Sequence, residues 1–498
     1  MSRGCSLRSR YFCTASRGLE QLLREEVHRK LSASEVEQVS GKVFFTADAD
    51  LKKLKSLKCA ERLFLLVKKL PPIQMPRHKG KGVHVLQKYV IGESSKWLDV
   101  VAKWRTLQDF SREQECTSDI TETGIKRPTQ QESSEKRKRP KLELDEPPTI
   151  VFNESAARQD DLHPVIRGSC QEKAPIQTPP SPDELLDSKG RNAASCMHFR
   201  VSCRCSGKLA KMFTPQELGR AIGVALSRQM GWKAELRNPV LEVYVHLNDI
   251  HCVVGIPIVR LPLASRDYIK NAGLRSTVAW AMAYLADIKA GSLVLDPMCG
   301  LGTILLEAAK EWPNAYYHGI DNTASQLQMA SANVCFAKLT SNIDLMRASV
   351  TELPLLTESI DVVICDIPFG KKFKTSRDTK TIMPYILKEM VRVLSVNGTL
   401  VLLLSQELSL DIQQWQKPKS HQSIKGKPDA WQNTDATSKE PSTHPDENAD
   451  MEHMLVAETK QSEVQRKVLA SLVPTGIFQV SLGVTEASIH RYKKIPIT

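Results

Sequence analysis

Val294-Leu-Asp-Pro-Met-Cys-Gly-Leu-Gly-Thr303 and, further along, Ile360-Asp-Val-Val-Ile-Cys-Asp-Ile-Pro-Phe-Gly370 decide how this 498-residue chain reads. The first stretch is a short apolar strand, a turn built on Gly300 and Gly302, and the start of a helix at Thr303. The second is an apolar run of strand length that ends in Asp366-Ile367-Pro368-Phe369. Around them strand and helix signals alternate: strand 293–296, helix 303–311, strand 316–320, helix 323–338, strands 343–347 and 361–365, helix 381–394, strand 399–404. Such alternation predicts an α/β domain with a parallel, doubly wound sheet over 266–498. An amphipathic helical region, 266–290, leads into it and stops at Gly291. Phe478–Val484 and Ile489–Tyr492 read as a closing antiparallel pair.

Working toward the N-terminus, Met197–Cys205 is a strand. Thr214-Pro-Gln-Glu217 opens a helix, with Thr214 as N-cap, Pro215 in the first turn and Glu217 at the capping-box position. Leu218, Ile222, Ala225 and Leu226 form its apolar stripe. Val240–Leu247 alternates as a strand should, and His251–Pro257 follows as another. A further small α+β unit occupies 10–104, where Leu19, Leu22, Leu23 and Val27 share one helical face. Between these modules, 106–190 is rich in Thr, Ser, Glu, Gln, Lys and Pro, and a stretch at 411–460 is similar. Neither can bury enough apolar area to offset its ordering entropy, so both are expected to be disordered insertions.

Charge is uneven. Residues 1–105 hold 22 Lys/Arg against 10 Asp/Glu, nearly the whole net charge of +13. A block of this kind suits a polyanion through phosphate contacts, or is a solvated lysine surface. Lys136-Arg-Lys-Arg-Pro-Lys141 could serve nuclear import or touch nucleic acid, so a nuclear location, with or without a cytoplasmic one, is expected. No apolar run is long enough to span a membrane, and the first residues lack the apolar segment of a secretory signal. The 12 cysteines include no Cys-x-x-Cys, so neither a metal site nor a disulfide framework is expected.

In an open α/β sheet, ligands bind beyond the carboxyl ends of the strands. Gly300 and Gly302 would let a ligand approach the backbone there, and Thr303 begins a helix whose amides point at it. Asp296 ends its strand beside that turn. Asp321, about 20 residues past the glycines, could chelate the two ribose hydroxyls of an adenosine cofactor, or could cap the next helix. Gly-Lys-Ser/Thr is missing, which excludes a P-loop. Asp366-Ile-Pro-Phe369 suits a planar amine, whose lone pair is delocalised into its ring. The Asp366 carboxylate and a carbonyl near Ile367 could draw the two amine hydrogens. Pro368 would stiffen the turn and Phe369 would stack on the base, or simply anchor the core. Together the two motifs point to methyl transfer onto such an amine, driven by positioning and electrostatics. Cys299 and Cys365 flank the site and read more simply as small buried thiols than as nucleophiles.

With these residues in hand, the chain resembles the THUMP-domain RNA guanine-N2 methyltransferases. Phe199–Pro257, with Pro215-Gln-Glu-Leu-Gly and Arg237-Asn-Pro239, is similar to the THUMP RNA-binding module, placed at 191–265. Arg17-Gly-Leu-Glu20 resembles the opening of the ferredoxin-like unit before it. Leu274-Arg-Ser-Thr277, Asp296–Thr303 and Asp366–Gly370 match the catalytic motifs of a Rossmann-like class I methyltransferase domain. The resemblance implies S-adenosylmethionine as cofactor, held by Asp296, Pro297, Gly300, Gly302, Thr303, Asp321 and Asn322. Ser349 stands where the family often has an acidic or amide residue at the adenine. It further implies a target guanine at Asp366, Pro368 and Phe369, a structured RNA (a tRNA or a small nuclear RNA), and a small zinc-containing methyltransferase activator subunit. Two rivals stay open at this point: transfer to adenine N6 or a protein glutamine, and an RNA-binding protein without activity.

Overall fold

The computed structural model describes residues 8–121 except 75 and 77, 197–368, 376–416, and 468–496 except 484. The first half builds one eight-stranded sheet from both N-terminal modules. It contains β1 (Arg8–Thr14), α1 (Glu20–Leu31), β2 (Ser34–Val39), β3 (Lys42–Asp48), α2 (Leu51–Lys55) and β4 (Arg62–Leu70). Helices α3 (Lys79–Ile91) and α4 (Ser94–Thr121) come next, followed by β5 (His198–Cys205), α5 (Pro215–Met230), β6 (Lys233–Ala234), β7 (Leu241–Leu247) and β8 (Cys252–Pro257). Strand order is β2-β3-β1-β4-β8-β7-β5-β6. The junction is the antiparallel pair β4–β8, with Phe64 opposite Pro257 and Leu65 opposite Ile256. The α5 start forms as expected, with Thr214 and Glu217 in a full capping box and Pro215 in the first turn.

Two expectations about boundaries change. α4 runs through the proposed edge at 104–106. Leu107 is buried, Trp104 Nε1 donates to the Pro257 carbonyl at 3.0 Å, and Gln108 Nε2 donates to the Ile258 carbonyl at 2.8 Å. Composition alone joined this anchored turn to the polar tract beyond it. In addition, Leu86, Val90 and Trp97 of α3 and α4 share a core with Phe199, Ile222 and Leu226. The second module therefore starts before the long insertion rather than at 191. Residues 122–196 and 417–467, with the Lys136–Lys141 cluster, lie outside the described residues.

The sheet is rolled. Phe12 and Phe64 stack at 4.7 Å and Phe64 and Tyr244 at 4.6 Å, so β1, β4 and β7 meet across its inner face even though β8 separates β4 from β7. Gly255 on β8 permits the curl. A Cβ there would sit 2.5 Å from the Phe12 ring and 3.1 Å from the Leu65 carbonyl.

The C-terminal domain comprises α6 (Ser276–Leu285), β9 (Leu293–Asp296), α7 (Thr303–Glu311), β10 (Tyr316–Asp321), α8 (Ala324–Phe336), β11 (Ile343–Arg347), β12 (Ile360–Asp366), α9 (Ser376–Val393), β13 (Leu394–Ser405), α10 (Gln406–Trp415), β14 (Leu472–Ser481) and β15 (Glu486–Lys494). Its sheet runs β11-β10-β9-β12-β13-β15-β14, parallel from β11 to β13 and antiparallel thereafter. Val362 and Ile364 enter one core and Val363 and Cys365 the other, as a parallel strand covered on both faces requires. The expected helix over 266–290 is shorter, because 266–275 is a series of turns pinned by side chains.

Those turns dock the domain onto the first module. Arg266, 3% exposed in its side chain, pairs with the fully buried Glu307 of α7 at 2.9 Å, and it also donates to the Lys58 carbonyl at 2.6 Å. Tyr268 donates its hydroxyl to the same carboxylate at 2.8 Å. Arg275 bridges Ser16 and Glu61 at 3.0 Å each. Removing one partner of a buried pair strands the other charge, which costs about 3–5 kcal/mol, whereas replacing both by apolar residues costs far less. Arg266→Leu is therefore expected to lower stability to urea by roughly that amount, and the double change with Glu307→Leu by much less. Equal midpoints for Arg266→Leu and the wild type would show that the pair does not hold the domains together.

Candidate functional site

Strand order reverses between β9 and β12, and the tips of β10, β9 and β12 stand side by side at that switch. Asp296 ends β9, 1% exposed, and its Oδ1 accepts from the Met298 amide at 3.2 Å. The chain then turns. Gly300 and Gly302 take φ of +50° and +74°, left-handed values that a side chain would resist. The Cys299 amide donates to the Ile320 carbonyl at 2.9 Å and the Gly302 amide to the Cys299 carbonyl at 2.7 Å. The loop is thereby sewn to β10. α7 starts at Thr303, so its first amides face the switch point.

Asp321, at the tip of β10, holds the loop from the other side. Its Oδ2 accepts from the Gly300 amide at 3.0 Å and its Oδ1 from the Thr323 amide at 2.8 Å. Asp321 thus clamps the glycine turn; the N-cap of α8 is Thr323, so the helix-cap role weighed for Asp321 is not the one it plays. Lone pairs remain on both oxygens for a ligand. Asn322 is exposed; its side-chain oxygen accepts from the Thr323 hydroxyl and its carbonyl from Arg347 Nε at 3.0 Å. Ser349 lies beyond the β11 tip, exposed, with its Oγ 2.8 Å from the Thr351 hydroxyl. The neighbouring Ala348 amide donates to the Asp321 carbonyl at 3.3 Å, which keeps that turn beside the site. Pro297 is buried in the glycine turn and Pro368 is half-buried after β12. Phe369 lies outside the described residues.

Asp366 ends β12, half-buried. Ile367 is buried, and its amide donates to the Leu403 carbonyl on β13 at 3.1 Å, which fixes the tip. Desolvation pushes the Asp366 carboxyl up to about 7. Asp296 is raised well above the carboxylate range, first by burial and then by the charges of Asp366 and Asp321, against the opposing Met298 amide. Three carboxyls thus crowd one switch point, and the two raised ones, Asp296 and Asp366, would ionise more readily beside a cation. Thr303 adds a buried hydroxyl without a partner among the described residues. A positively charged sulfonium cofactor bearing ribose hydroxyls fits this set of groups. The cysteines do not join the chemistry: burial drives the Cys299 and Cys365 thiols far up from their ordinary range, leaving no thiolate to attack.

Sequence reasoning missed the support beneath the loop. Asn333 of α8 is fully buried. It accepts from the Asn271 amide at 2.8 Å and donates to the Asn271 and Leu301 carbonyls at 3.0 and 2.9 Å. A polar residue on the inner face of a helix was its only signal. Gly319 lets β10 nest under α7, since a Cβ there would lie 2.7 Å from Leu305 and Leu345.

Residues 264–421 match the family model described as RMKL-like, methyltransferase domain, and residues 10–63 match the RlmL ferredoxin-like domain. The mouse U6 snRNA (guanine-N(2))-methyltransferase THUMPD2 is 44% identical, over 98% of this chain and 91% of its own. The human tRNA (guanine(6)-N(2))-methyltransferase THUMP3 is 26% identical, over 79% of this chain and 80% of its own. In fold, the chain is similar to TrmN from Thermus thermophilus, with a TM-score of 0.56 at 18% identity over 98% of this chain and 99% of that one. Near full-length identity of this order, carried by a sheet whose tips bear Asp296, Asp321 and Asp366, establishes that the chain belongs to the THUMP-domain family of S-adenosylmethionine-dependent RNA guanine-N2 methyltransferases.

Proposed function

We propose that this protein methylates the exocyclic N2 of one guanosine in a small nuclear RNA of the U6 type. The adjacency of Asp366 to Asp296 and Asp321 at neighbouring strand tips carries this reading. S-adenosylmethionine supplies the methyl group on an electrophilic sulfonium. Asp321 takes the ribose hydroxyls, with Asn322 and Ser349 lining the path to the adenine. Gly300, Gly302 and Pro297 let the cofactor lie against the backbone, and Asp296 and Thr303 offer polar contacts at its amino-acid end. Asp366 and the carbonyl near Ile367 accept the two amine hydrogens, which returns the lone pair to nitrogen. Pro368 limits the turn, and Phe369 supplies the stacking face. A carboxyl at about 7 is matched to receive the departing proton near neutrality. A small nuclear RNA is preferred to a tRNA because likeness to the U6 enzyme is higher and spans more of the chain. The basic N-terminal block favours RNA over a protein glutamine as acceptor. A nuclear site of action, supported by the Lys136–Lys141 cluster, agrees with that substrate.

We also infer a small zinc-containing activator subunit as partner. Met346 is exposed on β11, which is an edge of the sheet, and Met329 and Phe336 are exposed on the adjoining α8. Apolar groups grouped at an open strand edge suit a partner that extends the sheet.

Three outcomes follow. Asp366→Ala should cut methyl transfer at least a hundredfold while RNA affinity, read by filter binding, changes less than about threefold, since an acceptor used in the reaction acts mainly on kcat. Wild-type turnover in that variant would remove Asp366 from the chemistry. Only the ionised form can take up the departing proton, and it is the stronger acceptor, so kcat/KM at subsaturating cofactor should rise with pH to a plateau above about 7 and fall about tenfold per unit below it. Asp366→Asn should erase that limb, and a wild-type profile flat across it would contradict the assignment. Met346→Asp should abolish co-purification of the activator while leaving the thermal midpoint of the isolated chain within about 2 °C. Undiminished co-purification would place the partner elsewhere.

A further inference from the structure

In the eight-stranded sheet, outside the methyltransferase domain, three basic side chains meet where β3 approaches β7. Lys42 of β3 is 3% exposed, and its ammonium is hydrogen-bonded to His246 Nδ1 of β7 at 2.5 Å. β1, β4 and β8 separate these strands in the sheet order, so the contact exists only because the sheet curls. Because Nδ1 accepts, His246 Nε2 carries the proton and is left as a donor. His251, in the turn between β7 and β8, is 4% exposed, and neither of its ring nitrogens has a partner among the described residues. Its ring stands edge-on to that of His246, 6.0 Å away between centroids. Arg204 is aligned with His246 in the β5–β7 register and is exposed, while His246 itself is half-buried. These two residues are the more exposed members of the group.

Among the described residues no carboxylate is paired with Lys42, His246 or His251. Beyond burial, Lys42 feels the positive charge of Arg204, and His246 feels Lys42, His251 and Arg204. His251 feels Lys42 and Lys69, opposed by Glu37. Glu37 is already engaged by Lys69 and Arg10. Burial and this surplus hold Lys42 down to about 8 and His251 down to about 4. A buried ammonium with no paired anion is unfavourable, and an apolar side chain of the same length would avoid that penalty. Donors that converge from β3, β5, β7 and the β7–β8 turn suit a tetrahedral oxyanion with acceptors on several sides.

We propose that Lys42, His246, His251 and Arg204 form a site for one phosphate group, separate from the methyl-transfer centre. The phosphate belongs either to the backbone of a bound RNA or to a free phosphate-bearing ligand. Only the first of these sources rests on the RNA reading above.

The test follows the thermal midpoint of the full-length protein in inorganic phosphate and in chloride at matched ionic strength. General salting effects of phosphate raise every variant alike, so the readout is the difference between proteins. Wild type should gain an additional, saturable increase in phosphate. Lys42→Met and His251→Phe should both lose it; the latter removes no charge and guards against a variant that fails to fold. Equal gains in all three proteins would overturn the site. A second arm measures binding of U6-type RNA against potassium chloride concentration. A log–log slope shallower by about 0.7–0.9 in Lys42→Met assigns the phosphate to the RNA backbone. An unchanged slope, with the phosphate-specific gain lost, assigns it to a free ligand. If wild type binds no RNA, the substrate reading fails, whereas the phosphate arm still decides the site.

Discussion

Burial of carboxyl groups at the tips of β9 and β12, beside the glycine turn that Asp321 clamps, is the constraint on which the rest of this site depends. Left to themselves, three carboxyls at adjacent strand tips would separate or be solvated. Here Asp296 is buried and Asp321 is tied by the Gly300 and Thr323 amides. The Asp366 tip is fixed by the Ile367–Leu403 hydrogen bond. Neighbouring β9, β10 and β12 bring the three tips together, and the cores on both faces of the sheet hold those strands in register. Buried carboxyls held in this way ionise more readily beside a cation, which is consistent with the sulfonium cofactor of the family.

The first module serves the same site from a distance. The Arg266–Glu307 pair joins the connector to α7, the helix that begins at the glycine turn. Arg275 reaches Ser16 and Glu61 in the N-terminal unit. Gly18 brings the same unit against β14, where a Cβ would meet the Gln479 carbonyl. The first module is therefore held at a set spacing from the tips of β9, β10 and β12. The apolar core supports this continuity, because Tyr11 and Leu22 share one cluster with Trp280 and Val294.

Much of this was legible from residues alone, for identifiable reasons. Val294–Thr303 and Ile360–Pro368 read correctly because buried parallel strands need unbroken apolar runs and because only a left-handed turn calls for Gly300 and Gly302. The helix at Pro215 was legible from its capping box. What stayed hidden depends on partners remote in sequence. β2, Ser34-Glu-Val-Glu-Gln-Val39, is polar on both sides and forms only because β3 offers an edge. The fusion of two modules through β4 and β8, the Asn333 clamp and the Lys42–His246 contact are properties of the folded arrangement. The 10–104 unit was ended within α4 because a composition window averages Leu107 with the polar residues after it.

The most direct measurement is nucleoside mass spectrometry of U6-type RNA incubated with the protein, with and without the proposed activator, and S-adenosylmethionine carrying a deuterated methyl group. The account predicts one labelled product, N2-methylguanosine, and none when the target guanosine is replaced by inosine, which lacks the 2-amino group. Label in N6-methyladenosine, or in RNA whose target is inosine, would contradict it.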